Sequence, residues 1–224
     1  MAFKSKTAIV VLMLGVLVLG CNGPRERSTS KVGLAGSEET KAKLLKQIGR
    51  KYENPEAHYE LGKLYLADGL WDKAEFEFNV ALGFDPMHRR AQAAIVKTLL
   101  AANNQARASL ASEMYMNQAG TSAEASLVLG QAFQKEQLDD YALACYQQAM
   151  GLSPNAAAIH KQIGYYHLAK GDRVRAEEYL RRSFQLDPYQ PEVAGELGRL
   201  GVIVQIPRKT EKPSKKLDKA LEDG

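Results

Sequence analysis

The sequence predicts an all-α fold built from pairs of helices that repeat with one fixed period. Residues of three kinds recur with this period along most of the chain: alanines, glycines and prolines. The period is about 34 residues, a length typical of a solenoid, in which each short unit is stable only when it stacks on its neighbours. It is carried by Ala74, Ala108, Ala142 and Ala176, by Gly62, Gly130 and Gly164, and by Pro86, Pro154 and Pro188.

The composition agrees with a folded domain of ordinary surface chemistry. Of the 224 residues, 45% are hydrophobic and 25% are charged, and the formal net charge is +4. These values exclude a chain that is disordered throughout and a protein with many membrane spans. A net charge this small also argues against a dedicated nucleic-acid binder, which normally carries a concentrated basic face. Only two cysteines occur, Cys21 and Cys145, so the chain cannot form a disulfide scaffold.

The segment 1–20 predicts a signal peptide. Lys4 and Lys6 precede an apolar run that extends over positions 8–20. Because a membrane-spanning helix needs about 20 apolar residues, this shorter run has the length of the hydrophobic region of a secretory signal. The alternative is an uncleaved signal anchor followed by an incidental cysteine.

The end of this run, Val18-Leu19-Gly20-Cys21, resembles the lipobox of bacterial lipoproteins, although Val18 stands where that family usually has Leu. The resemblance implies that Cys21 is lipidated and becomes the N-terminus of the mature protein. Asn22 follows, rather than the Asp that commonly retains such proteins at the inner membrane, which implies an outer-membrane location facing the periplasm. Residues 21–37 are polar and contain Gly and Ser, so we interpret them as a lipidated tether.

Four consecutive blocks of equal length, 55–88, 89–122, 123–156 and 157–190, resemble the tetratricopeptide repeat (TPR). In that family the first helix of a repeat carries Leu-Gly and a Tyr, and the second helix carries Ala, an aromatic residue and Ala before a Pro. The resemblance implies a right-handed superhelical stack of helix pairs. The first block fits best, with Leu61, Gly62, Tyr65, Ala74, Phe78, Ala81 and Pro86.

The second block departs from this pattern in four places. Val96 replaces the Gly, Ser112 replaces the aromatic residue, Tyr115 stands in an Ala position and Gly120 stands where Pro belongs. One interpretation is a compensated exchange, in which Ser112 makes room for Val96 and Tyr115 restores the lost volume. The other interpretation is a functional irregularity. The apolar stripe that Ala108 and its neighbours keep favours compensation.

The array is expected to span residues 38–200, including a capping helix at each end that covers otherwise exposed apolar surface. Ser37, followed by two acids, predicts the start of the N-terminal cap. Residues 191–200 predict another first helix, against which Val202-Ile203-Val204 folds back. The tail at residues 201–224 is charged and poor in apolar residues over most of its length, so we interpret it as largely flexible.

No motif for catalysis or for a cofactor is found in the sequence. HExxH, GxSxG, the Walker loop, GxGxxG and CxxC are all missing, so the sequence predicts no enzyme, no cofactor and no metal site. His160 and His167 are seven residues apart on one predicted helix, about 10.5 Å along its axis, which is too far for them to share a metal ion. We therefore expect both histidines to pack in the core, and Cys145 to be a small buried residue.

In TPR proteins the first helix of each repeat lines a concave groove, which suits an extended peptide or a partner helix. Transferred position by position, the resemblance implies a groove of basic, amide and aromatic side chains. The alternative is a solvated polar face without a partner. The carboxylate clamp of chaperone-tail receptors is missing at the matching positions, so that activity is not carried over. The predicted groove residues are Tyr59, Lys63, Arg90, Lys97, Gln131, Gln134, Lys161, Gln162 and Tyr165.

Together these features predict a membrane-anchored TPR scaffold or adaptor that faces the periplasm and binds a protein or peptide partner during the assembly of envelope complexes. A narrower alternative is a pilotin-like factor that helps a secretin or a type IV pilus machine to assemble. A small-ligand-binding module is the alternative of another class, although open solenoid grooves lack the enclosed apolar pocket that such sites usually need.

Overall fold

The computed structural model describes residues 31–207, with side chains from Ser37 onward. These residues form ten α-helices and no strand, which confirms the predicted all-α fold class. No helix among them is long and apolar enough to cross a membrane. The predicted signal peptide, Cys21 and the tail from residue 208 lie outside the described residues. The helices are α1 (Lys31–Arg50), α2 (Pro55–Ala67), α3 (Trp71–Phe84), α4 (Arg89–Ala101), α5 (Gln105–Ala119), α6 (Ala123–Lys135), α7 (Asp139–Leu152), α8 (Ala157–Ala169), α9 (Arg173–Leu186) and α10 (Pro191–Arg199).

Helices α2 to α9 form four consecutive pairs, which begin at one constant spacing, at Pro55, Arg89, Ala123 and Ala157. The two helices of each pair pack on each other, and each second helix also packs on the first helix of the next pair. One apolar core runs through the four pairs, and smaller clusters cover its two ends. The predicted period therefore corresponds to one helix pair.

The turn inside each pair contains one residue in the left-handed backbone region. These residues are Gly69 (φ 75°), Asn103 (φ 59°), Gln137 (φ 63°) and Gly171 (φ 75°), and they recur with the period of the helix pairs. Glycine adopts this region without steric cost and asparagine tolerates it, whereas a residue such as glutamine is disfavoured there. The fold thus imposes the same turn on Gln137 that glycine allows in the first and fourth pairs.

A buried polar residue ties the start of each pair to the loop that precedes it. At this position the TPR pattern has an aromatic residue, but here the residues are His58, Gln92, Ser126 and His160, all at most 7% exposed. Each side chain donates a hydrogen bond to a backbone carbonyl at or just after the end of the preceding helix, so a backbone group is satisfied at every junction. The bonds are His58 Nε2 to Tyr52 O (3.0 Å), Gln92 Nε2 to Pro86 O (2.8 Å), Ser126 Oγ to Ala119 O (3.1 Å) and His160 Nε2 to Pro154 O (2.7 Å).

The divergent second pair keeps a closed core. Val96 is fully buried, and Ser112 and Tyr115 are 3% and 7% exposed. The Ser112 hydroxyl donates to the carbonyl of Ser109 (2.8 Å), which satisfies it inside its own helix. These observations agree with the compensated exchange, because the apolar volume around the Gly position comes from Val96 and the neighbouring polar side chain stays small.

The N-terminal cap is longer than the sequence predicted. Helix α1 begins at Lys31, six residues before Ser37, so Ser37 lies inside the helix and the boundary placed there is wrong. Leu34 and Ala35 favour a helix but Gly33 and Gly36 disfavour it, so local propensity does not account for the extension of the helix into the segment that we interpreted as part of the tether. Ile48 packs on α2, and Lys41 forms an ion pair with Asp68 at the end of α2.

The C-terminal cap is α10, which lies within the predicted residues 191–200. Leu197 is fully buried and Val202 is 6% exposed, and both belong to one apolar cluster with Leu180 of α9. Val204 packs against the same cluster. Ile203 is 95% exposed, so the predicted folding back of this segment holds for two of its three residues. Buried and exposed residues alternate here because successive side chains of an extended segment point to opposite sides.

Candidate functional site

Close contacts between the two helices of a pair fix which side of the first helix remains open. A Cβ atom on Gly62 would lie 2.6 Å from the Phe78 ring, and one on Gly130 would lie 2.5 Å from the Tyr146 ring. On Gly164 it would lie 2.7 Å from Leu180. The glycine side of each first helix is therefore covered by the second helix. The surface formed by α2, α4, α6, α8 and α10 is called the first-helix face below.

The cations predicted to line the groove lie on this face, and each of them forms an ion pair. Three of the four pairs join first helices of neighbouring repeats, so the charges are largely satisfied inside the protein. Their exposed fractions, between 31% and 45%, leave them in contact with water. The pairs are Lys63 with Glu60 (3.0 Å), Arg90 with Glu56 (2.5 Å), Lys97 with Glu136 (3.2 Å) and Lys161 with Glu192 (3.0 Å).

Tyr59 was predicted to line the groove, but its side chain is only 4% exposed. The Arg90 guanidinium lies 4.7 Å and the Lys63 ammonium 5.3 Å from the centre of its ring, and the Phe78 ring packs beside it. Burial raises the pKa of Tyr59 to about 12. The prediction of Tyr59 as an exposed contact is wrong, because cations from its own and the next repeat stack on the ring.

Three predicted groove residues come together in one hydrogen-bonded network between α6 and α8. Gln131 Nε2 donates to Gln162 Oε1 (3.1 Å), and Gln162 Nε2 donates to Gln134 Oε1 (3.1 Å). The Tyr146 hydroxyl, from α7, donates to the same Gln134 oxygen (2.6 Å). Within residues 37–207, Gln131 Oε1 and Gln134 Nε2 have no partner. The network thus presents one free acceptor and one free donor.

An open pocket of about 480 Å³ lies over this network and is lined by Gln131, Gln134, Lys135 and Gln162. The pocket is open on one side rather than enclosed. Tyr165, the remaining predicted residue, is not part of it, because its ring packs against the C-terminal cluster around Leu197. Burial raises the pKa of Tyr165 as well.

No family model and no curated protein matches the chain. Similar solved structures include MamA, with 18% identity over 72% of this chain and 95% of that chain and a TM-score of 0.38. The structure of pilF of Pseudomonas aeruginosa is 22% identical over 74% of this chain and 69% of that chain, with a TM-score of 0.37. YrrB, a TPR protein with an unusual peptide-binding site, is 17% identical over 75% of this chain and 86% of that chain, with a TM-score of 0.39. Because these TM-scores are below 0.5, the fold is described from the geometry of this chain alone.

That geometry consists of four helix pairs that recur with one constant period. In three of the pairs a glycine of the first helix lies beneath a large side chain of the second helix, and buried alanines repeat with the same period. The chain folds as an all-α solenoid of helix pairs, which is the architecture implied by its resemblance to the tetratricopeptide repeat. In this array, the amide network joins the first helices of the third and fourth repeats.

Tyr146 and Glu136 are site residues that the sequence did not reveal. The Tyr146 hydroxyl reaches the groove network although its ring is fully buried. Glu136 lies beyond the end of α6 and neutralises Lys97 of the previous repeat. The only signal for Tyr146 was its hydroxyl, since the same position holds Phe78 in the first repeat.

The histidines of α8 pack in the core as predicted, at 7% and 6% exposed for His160 and His167. Both rings stack on Tyr179, with centroids 6.0 and 5.6 Å away.

Among the described residues, no group of three or more His, Cys, Asp or Glu side chains could hold a metal ion. Cys145 is fully buried, and burial raises the pKa of its thiol to about 12, so the reactive thiolate is scarce at neutral pH.

Proposed function

We propose that this protein is a lipid-anchored scaffold of the cell envelope that holds an extended segment of a partner protein on its first-helix face. The amide network of the third and fourth repeats is the contact centre. A free acceptor on Gln131 and a free donor on Gln134 match the N–H and C=O of a peptide main chain, or a carboxamide side chain. This pair of unused groups is the observation that carries the proposal.

The ion pairs of Lys97 and Lys161 disfavour recognition of an acidic partner through these two cations, whereas Lys135, which lines the pocket, has no ion pair among the described residues. Lys97 and Lys161 already have acidic partners at 3.2 and 3.0 Å, and an anionic ligand would have to compete with Glu136 and Glu192 for them. An ion pair between an acidic partner and one of these exposed lysines would itself contribute little to binding, about 0.2–1 kcal/mol. The openness of the 480 Å³ pocket favours a chain that passes across it over a small molecule, since small-molecule sites usually bury most of their ligand.

The anchoring half of the proposal rests on the sequence ending in Gly20-Cys21 after a short apolar run. Lipidation at Cys21 would place the array at a membrane without a spanning helix, and a location at the outer membrane facing the periplasm follows from Asn22. Anchored in this way, the array would act as an adaptor during the assembly of an envelope complex.

The groove can be tested by site-specific photo-crosslinking in cells. A crosslinkable residue at Lys135, beside the network, should capture a partner, whereas one at the exposed Gln147 on α7 serves as a matched control. The substitution Gln134→Glu keeps the oxygen that accepts from Tyr146 and Gln162 but removes the free donor. It should lower the crosslinking yield at least several-fold, while Gln147→Glu should not change it.

Equal capture of the same partner from Lys135 and Gln147 would contradict the groove as the binding surface. An unchanged yield in Gln134→Glu would contradict the role of the amide network. Mass spectrometry of the captured partner also separates the two assembly roles, because a secretin would identify the pilotin-like version and another envelope protein the general scaffold.

Anchoring is tested independently by the mass of the mature N-terminus and by fractionation of cells. The wild-type protein should carry an acylated Cys21 and pellet with membranes, and Cys21→Ala should lose the acyl mass. If the Cys21→Ala protein were processed normally and pelleted with membranes as fully as wild type, the lipoprotein proposal would fail.

A further inference from the structure

The N-terminal end of the array differs from the groove in its charges. Lys46, Arg50 and Lys51 are exposed at the end of α1, and none of them has an ion pair among residues 37–207. The cation on the preceding turn, Lys43, is paired with Glu39 at 2.7 Å. Three neighbouring cations thus remain uncompensated, whereas every predicted cation of the groove has an acidic partner.

Exposed apolar and aromatic side chains lie on the same end of the array. Leu45 of α1 is 51% exposed, and Tyr52, two residues beyond the end of α1, is 56% exposed. The Phe84 ring is 41% exposed and meets the Tyr52 ring edge-on, with centroids 5.6 Å apart. Cations that border exposed Leu, Tyr and Phe side chains are the combination found on helices that lie in a lipid headgroup region, where Tyr rings favour the boundary between water and lipid.

We propose that the surface formed by Leu45, Lys46, Arg50, Lys51 and Tyr52, called the α1 surface, binds the headgroups of an anionic lipid bilayer. This inference rests on the proposed lipid anchor for the position of the membrane. The predicted anchor, Cys21, precedes the start of α1 at Lys31 by ten residues, which span at most about 33–36 Å when fully extended. The α1 end of the array is therefore the end nearest the bilayer.

Charge complementarity selects the lipid. The three unpaired cations would attract phosphatidylglycerol but not the zwitterionic phosphatidylcholine, and Leu45 and Tyr52 would reach the apolar boundary beneath the headgroups. Glu53, which is exposed and follows Lys51 by two residues in the sequence, reduces this attraction without cancelling the charge of three cations. Docking of α1 would orient the solenoid on the membrane, which an acyl anchor on a tether does not do by itself.

The test compares dissociation constants of the full chain for vesicles of phosphatidylcholine alone and for vesicles with about one third phosphatidylglycerol. Residues 1–21 carry cations of their own and contribute to the ratio of the two constants, but they are identical in every variant, so the ratio of each variant is compared with that of the wild type. At about 1 kcal/mol per Lys or Arg near an anionic surface, three cations predict a preference of up to roughly a hundredfold. The preference should fall as salt is raised, because salt screens exposed charges.

The triple substitution Lys46→Glu, Arg50→Glu and Lys51→Glu should lower the preference relative to wild type at least as much as the three cations raise it, by up to roughly a hundredfold. The matched control, Arg175→Glu, Arg181→Glu and Arg182→Glu on α9, changes the net charge equally at the far end of the array and should keep it. Thermal melts of both variants establish that they are folded.

A wild-type chain without a preference for phosphatidylglycerol would overturn the inference, as would a preference lost equally in the α9 control. Either result would leave the acyl mass at Cys21 unaffected, so failure of the α1 surface is distinguishable from failure of the anchor. If the triple variant failed to fold, the milder variant Lys46→Gln, Arg50→Gln and Lys51→Gln would decide, and a preference unchanged from wild type in that variant would overturn the inference.

Discussion

The second repeat and the other three build the same contact in opposite ways. In the first, third and fourth repeats a glycine of the first helix lies beneath Phe78, Tyr146 or Leu180, so the second helix supplies the volume. In the second repeat the first helix supplies Val96, and the second helix carries the small Ser112 at the equivalent position. The comparison indicates that the repeat requires a fixed volume at the contact and accepts it from either helix.

The largest effect on stability is expected when the glycine of the third repeat is replaced by valine, the residue that the second repeat has at the equivalent position. In Gly130→Val the new Cβ alone would lie 2.5 Å from the Tyr146 ring, so the ring or the helix must move. We expect a loss of about 3 kcal/mol in the free energy of unfolding, at the upper end of overpacking effects. Urea denaturation followed by circular dichroism measures it. A loss below about 1 kcal/mol would show that this contact is looser than described.

The reverse exchange tests compensation in the second repeat. Val96→Gly removes three buried carbon atoms and should lower the free energy of unfolding by roughly 2–3 kcal/mol. Ser112→Phe alone should also destabilise, because Val96 occupies the space. If volume is exchanged between the helices, the double variant should be at least about 1 kcal/mol more stable than the two single effects predict. Additive effects would favour the second interpretation, a functional irregularity.

The turns allow a smaller, stabilising prediction. Gln137 holds φ 63° where Gly69 and Gly171 occupy the equivalent position. Gln137→Gly removes a backbone strain of about 1–2 kcal/mol and adds the entropy that glycine gains on unfolding, roughly 0.5–1 kcal/mol. The free energy of unfolding should rise by about 0.5–1 kcal/mol. A decrease would mean that the Gln137 side chain makes a stabilising contact.

The smallest effect concerns acid stability at the fourth repeat. Burial lowers the pKa of His167 below its usual 6.5, although Asp172 at 3.7 Å opposes this shift. Because the unfolded chain binds the proton first as pH falls, the stability is full above about pH 6.5 and decreases below it. His167→Phe, which introduces the residue of the equivalent position Phe133, should reduce the drop in melting temperature between pH 7 and pH 5. If the drop in melting temperature were unchanged, other titrating groups would be responsible for the loss of stability at low pH.

Much of the fold and part of the site could be predicted from the sequence. The helix pairs, the glycine contacts and the burial of His160 and Cys145 follow from local spacing. The groove prediction placed Gln131 and Gln162 on neighbouring first helices, and the structure joins them by a hydrogen bond that the repeat period does not indicate. The groove prediction failed for Tyr59, since the residues that cover its ring come from two successive repeats and depend on how these repeats stack.

The sequence by itself determined the repeat: its period, its helix pairs and the positions where the two helices approach closely. These are properties of backbone geometry and of residue size at fixed spacing, which are written along the chain. The tertiary structure decided which polar groups remain available. Lys97 is neutralised by Glu136, 39 residues away, while Lys46 and Arg50 stay unpaired within the described residues. Side-chain partners are chosen by distance in space, and only the stacking of the repeats sets that distance.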